Sequence, residues 1–166
     1  GVIAASCFDS AKNLYNYNFN TNTLYKTSGL NVLNDLDPLT TNNFGGAIGG
    51  APFSSGGDMT FFEQNLYIVG VASGTVKLYK VNFTDATRTA LAVTPFTNMG
   101  GILVSGNPVS GIVGMTVLDG ILYICNATKI YSVEITTPNP IATEIATVPG
   151  GWNILDAACI LEYSNS

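Results

Sequence analysis

The 166-residue chain contains no histidine. Ser-His-Asp and Cys-His nucleophiles, His-ligated zinc and any imidazole titrating near neutrality are therefore excluded. What remains for chemistry is a set of carboxylates, three cysteines, one tryptophan and many side-chain amides. General acid–base work without imidazole needs a carboxylate pair. Asp35 and Asp37 share one segment before Pro38, where they suit turn capping, and Glu63 and Asp119 occupy matching turns of two similar stretches. Asp58 and Asp156 open two similar stretches, where their carboxylates could cap a turn or help to hold Ca2+. Gly114 takes the third such place, so a symmetric acidic ring is absent. No full catalytic or ligand set emerges. The chain reads as non-enzymatic and without a cofactor, Ca2+ being the one metal with candidate ligands.

Binding is better provided for. Trp152 stands beside Asn153 in Pro149–Ile154, and Asn43, Phe44, Phe53 and Asn98 lie in two other segments rich in Gly, Asn and Pro. An aromatic face stacks on the apolar C–H surface of a sugar, while amides donate and accept without demanding charge. Together these six residues would suit a neutral, hydroxyl-rich ligand such as a glycan. The plainer reading of Trp152 is a plug between structural units.

Composition narrows the setting. Only 10% of residues are charged, and six basic against eleven acidic side chains leave a net charge of −5. A phosphate-binding footprint is missing, so nucleic acid is not an expected partner. Asn, Thr, Ser and Gly fill the places that Lys and Glu usually take, which points to a secreted or cell-surface protein. Asn82-Phe83-Thr84 and Asn126-Ala127-Thr128 are glycosylation sequons, no more numerous than this composition yields by chance. The uncharged span Thr89–Leu118 is broken by Pro95, Asn98, Asn107, Pro108 and several glycines. No continuous apolar helix arises there, and a membrane-spanning reading fails. Gly1–Ser6 has neither a basic region nor an apolar core, so the expectation is that any signal peptide has gone or that the chain is a fragment.

The elements that must position these residues are strands. Apolar runs are short, rich in Val, Ile, Tyr and Thr, and bounded by Gly, Asn, Asp or Pro, which is an all-β pattern. Leu-Tyr recurs at Leu14-Tyr15, Leu24-Tyr25, Leu66-Tyr67, Leu78-Tyr79 and Leu122-Tyr123, with Ile130-Tyr131 beside them. Asp58–Val69 aligns with Gly114–Cys125 as strand, tight turn, strand, and each is followed by a third and a fourth strand. The N-terminus fits the same unit entered part-way, with Leu14–Thr23 aligned to Leu78–Thr87 and Val2–Phe8 as a second strand. Asp156–Glu162 has the pattern of the missing first strand. Pairing it with Val2–Phe8 closes the unit from both termini and brings Cys7 beside Cys159 as the one possible disulfide.

These motifs resemble secreted β-propeller proteins whose blades carry Leu-Tyr strands, of the lactonase and kelch types. The resemblance implies a ring of three four-stranded meander blades closed by terminal strands. Blade 1 takes 154–166 plus 1–30, blade 2 takes 58–94 and blade 3 takes 112–149. Long loops at 31–57 and 95–111 separate them and meet Pro149–Ile154 on one rim. Propellers have four to eight blades, so three imply a small ring, two chains sharing a six-bladed ring, or a longer array. A homo-oligomer or extracellular polymer is the favoured partner state. The expected function is an extracellular binding, adhesion or structural module acting through its neutral rim. A Ca2+-dependent lactonase-like hydrolase is the alternative.

Overall fold

The computed structural model describes residues 5–28, 40–44 and 52–157. Among them there is no helix, and every sheet is built from short antiparallel meanders. The first sheet runs in order through β1 (Ala5–Phe8), β2 (Leu14–Asn18), β3 (Thr23–Ser28) and β4 (Thr40–Asn43). The second runs through β5 (Ser55–Phe62), β6 (Asn65–Ala72), β7 (Thr75–Phe83) and β8 (Leu91–Gly101). A short hairpin follows, β9 (Leu103–Val104) and β10 (Asn107–Pro108). The third sheet contains β11 (Ile112–Leu118), β12 (Ile121–Asn126), β13 (Lys129–Glu134) and β14 (Ile141–Thr147), and the hairpin joins it where Leu103 pairs with Ile141.

Tight turns set the registers. Glu63-Gln64, Ser73-Gly74, Ser105-Gly106 and Asp119-Gly120 all have positive φ at both residues. This is the two-residue hairpin geometry whose twist matches that of the flanking strands. Across the Asp119-Gly120 turn Leu118 pairs with Ile121, and across Glu63-Gln64 Phe62 pairs with Asn65.

Side-chain alternation then builds two cores. In β6 Leu66 and Ile68 face one cluster with Tyr15, Tyr17, Leu24 and Met59, whereas Tyr67 and Val69 face another with Met115, Leu122, Ile124 and Val133. In β7 Tyr79 and Val81 join the first cluster and Leu78 the second. The second sheet is thus the middle layer, with the first sheet on one face and the third on the other.

Three expectations are corrected. Among the described residues the first sheet holds four strands from 5–43, so β4 extends the unit beyond the bound of 30, while the strand expected from 154–166 to pair beside Val2–Phe8 falls almost wholly outside the described residues. Leu14-Tyr15 lies in the second strand of its sheet and Leu24-Tyr25 in the third, matching Leu66-Tyr67 and Leu78-Tyr79. The dipeptide occurs in both strand positions and cannot tell them apart, which is why the alignment slipped. The loop placed at 31–57 contains β4, whose Thr-Thr-Asn-Asn sequence has no apolar alternation, and its last residues belong to β5. The loop placed at 95–111 is largely β8 to β10, with polar residues on solvated faces. Ala158 onward, including most of the expected closing strand, lies outside the described residues, as do Asp35 and Asp37.

Candidate functional site

The first strands of the second and third sheets meet at Asp58. Its Oδ1 accepts a hydrogen bond from its neighbour Met59 N at 2.8 Å, and its Oδ2 accepts one from Met115 N in β11 at 2.6 Å. Asp156 repeats the local half of this geometry, accepting from Ala157 N at 2.7 Å. Gly114 lies against that same pair. A Cβ there would sit 2.3 Å from Ala157 N, so no side chain fits. The three matched positions, Asp58, Gly114 and Asp156, therefore do come together, and the glycine is where the chain passes closest.

Burial pushes the Asp58 carboxyl up to about 7, the Met115 and Met59 N–H groups oppose the shift, and the charge of Asp156 adds to it. Both of its oxygens are used by backbone donors, which spends the carboxylate on joining two sheets. Asp156 is exposed. Among the described residues no group of three metal-ligating side chains forms. Burial also raises the thiol pKa of Cys7 and Cys125, and both carry free thiols. Cys159, the expected partner of Cys7, lies outside the described residues.

The six residues proposed for a glycan site are not gathered in one place. Phe53 is a core residue. Its ring lies 5.6 Å from Tyr17, 5.4 Å from Phe19 and 5.1 Å from Tyr79, all edge-on. Phe44 packs against the same cluster, 5.8 Å from Phe83. Asn43 pairs with Tyr25 through the backbone, and Asn98 Oδ1 accepts from Gly100 N at 2.8 Å. The segments do not share a rim at the third sheet. The β9 hairpin meets β14 at its start, while Pro149–Ile154 leaves its end and bonds back to the β12–β13 turn through Ile154 N and Ala127 O.

Trp152 is the exception. Trp152 N donates to Pro149 O at 3.2 Å across a turn whose third residue, Gly151, has φ +91. That left-handed position is what a type II turn requires, and glycine supplies it without strain. The turn holds the indole out at 73% exposure, so it is not a plug between sheets, and Asn153 beside it is exposed too.

Both sequon asparagines are engaged. Asn82 Nδ2 donates to Thr94 O and Thr97 Oγ1, and Asn126 Oδ1 accepts from Thr128 N and Lys129 N.

Sequence reading missed a network between the first two sheets. Asp9, buried, accepts from Ala11 N, Asn13 N, Asn13 Nδ2 and the Tyr15 hydroxyl, and Arg88 Nη1 lies 3.6 Å from its Oδ2. The Arg88 guanidinium also covers the Phe61 ring at 4.9 Å and donates to Gln64 O at 2.8 Å. Nothing in the local pattern signals it, because Asp9 and Arg88 are 79 positions apart in the sequence. No protein-family model, curated protein or solved structure matches this chain.

Proposed function

We propose that the chain is an extracellular, non-enzymatic structural or binding module, three blades of a propeller-like ring that other copies complete. One observation carries the reading. Eight large apolar side chains are left exposed among the described residues, and six of them belong to the third sheet or the segment after it: Leu118, Ile121, Ile141, Ile145, Trp152 and Leu155. Leu118 and Ile121 are cross-strand partners on the face turned away from Leu122 and Val133, as is Ile141 opposite Glu134. Exposed apolar side chains concentrated on the end sheet of a stack, three of them neighbours on one face, mark a contact surface. The middle sheet, buried on both faces, is the pattern that each end sheet would reach by gaining a neighbour.

The approach of Asp156–Ala157 to Gly114 supports a further unit beginning there, since Asp58 and Met115 make the same step between the second and third sheets. The neutral, Asn- and Thr-rich surface suits packing against identical copies in an extracellular setting. Closure of a three-bladed ring by the terminal strand is the smaller version of the same assembly. Sedimentation equilibrium tests the reading. A mass of twice 17.4 kDa or more is expected, falling to the monomer in an Ile121→Lys, Ile141→Lys double variant. A monomer at all concentrations whose glycan-array hits vanish in Trp152→Ala would move the function to carbohydrate binding. A monomer with no hits would overturn the proposal.

A further inference from the structure

A groove of about 450 Å³ opens beside the second sheet, between the Gln64-Asn65 turn, β7 at Lys80–Phe83 and the loop at Asp85–Arg88. That volume is in the range of small-ligand sites. Its charges are unevenly satisfied. Arg88 is committed to Asp9 and to Gln64 O. Asp85 is enclosed by its own loop: Thr87 donates to it through N and Oγ1, and the Thr89 and Thr84 hydroxyls also donate. These bonds hold its carboxyl well below the usual range, with Thr87 contributing most. Lys80 lines the groove with no acceptor for its ammonium among the described residues.

The matching positions in the other sheets show that this is particular to the groove. In the first sheet the residue after Leu24-Tyr25 is Lys26, whose Nζ donates to Thr87 O at 2.7 Å and lies 5.8 Å from the Tyr15 ring centroid. In the third sheet the residue after Ile130-Tyr131 is Ser132, which is uncharged. Among the described residues, the second sheet alone keeps a cation without an acceptor at this place.

Two donor groups of the groove stand without a partner. The Lys80 ammonium and the Gln64 amide N–H groups have no acceptor among the described residues, while the Asn82 amide is spent on Thr94 and Thr97. The rim is also held in a costly conformation. Gln64, at φ 64, takes the second place of a hairpin turn that Gly74, Gly106 and Gly120 fill elsewhere, and Arg88 is left-handed too at φ 54. Such strain persists where surrounding structure enforces it, and it concentrates at ligand sites.

We infer that this groove binds the carboxylate of a hydroxylated ring, a hexuronate unit, with Lys80 taking the carboxylate and the Gln64 amide donating to a ring hydroxyl. A single negative charge matches the one groove ammonium that has no acceptor among the described residues. Asp85 and the net negative charge of the chain oppose any anion here, and a multivalent phosphate more strongly than a single carboxylate. The site is independent of the third-sheet contact surface.

Isothermal titration with sodium glucuronate, followed by amide shifts in the full chain, tests the inference. Saturable binding at millimolar concentration is expected, with shifts at Gln64 and Lys80 and weakening on added salt. Lys80→Gln should bind about tenfold more weakly at unchanged melting temperature. Lys77→Gln, which makes the same charge change on the opposite face of β7, should bind like the parent. Glucose and acetate, each carrying half of the recognition, should bind more weakly than glucuronate. Equal binding of glucose or inorganic phosphate, parental affinity in Lys80→Gln, or no binding would each overturn it.

Discussion

The second and third sheets have the same four-strand meander and the same Leu-Tyr or Ile-Tyr pairs, yet they end in opposite situations. In the second, alternation sends Leu66 and Ile68 into one core and Tyr67 and Val69 into the other, and all four are buried. In the third, Leu122 and Ile124 are buried against the second sheet, but Ile121 on the other face is 45% exposed and Ile141 is 50% exposed. The repeat therefore specifies a two-faced sheet. Position in the stack decides how many of its faces are covered. Asp58 spans the seam between the two, so it belongs to neither sheet alone.

The largest effect should come from cutting into the covered faces. Leu66→Ala removes a side chain with no exposed surface and should cost about 3–4 kcal/mol in urea unfolding. Ile121→Ala on the free face should cost less than about 1 kcal/mol in the dissociated chain. Equal costs would mean that the third sheet's outer face is covered in the monomer, and the contrast between the sheets would fail.

Acidification probes the seam. The folded pKa of Asp58 is raised from 3.8 to about 7, so its contribution to stability is fully present below the unfolded value and lost as pH rises through the folded one. Lowering the pH from about 8 to about 5 should raise stability by about 2.5 kcal/mol. With no histidine in the chain, no imidazole titration obscures this window. Asp58→Asn should flatten the profile, although its amide leaves one of the Met59 and Met115 N–H groups without an acceptor. A variant with the parental slope would show that the seam is not the titrating element.

The first three strands of the second and third meanders are readable in the sequence because alternating apolar residues are joined there by two-residue turns, whereas most of β8 to β10 reads as loop. Asp58, Gly114 and Asp156 could also be matched, since they recur at one point of the repeat. The first sheet was harder. Val2–Phe8 is read as a strand but placed second rather than first, and Thr40–Asn43 carries no apolar residue at all and so does not announce one. Two of the candidate ligand residues lie in or against the core for a different reason. Phe44 and Phe53 sit among glycines and serines, which reads as loop, but an aromatic ring in such a segment can reach back into the core, and Phe53 meets four other rings there. The free ammonium of Lys80 was beyond sequence reasoning. Lys26 holds the same place in the first sheet, and only geometry shows that one is spent and the other is not.

The smallest effect concerns the matched turns. The third sheet turns on Asp119-Gly120, with glycine in the left-handed second position at φ 71, whereas the second sheet puts Gln64 there at φ 64. A side chain in that conformation costs about 1 kcal/mol, because Cβ crowds the following carbonyl oxygen. Gln64→Gly should therefore stabilise the protein by about 1 kcal/mol, while Gly120→Ala should destabilise it by about the same amount. The Gln64 carbonyl that accepts from Arg88 is backbone and survives the change. The same substitution removes the amide assigned to a hexuronate hydroxyl, so glucuronate affinity should fall as the urea midpoint rises. Opposite movement of the two readouts would identify the turn as strain kept for binding. If Gln64→Gly lowers the midpoint instead, its side chain supports the turn, and the difference between the two sheets at this point is structural.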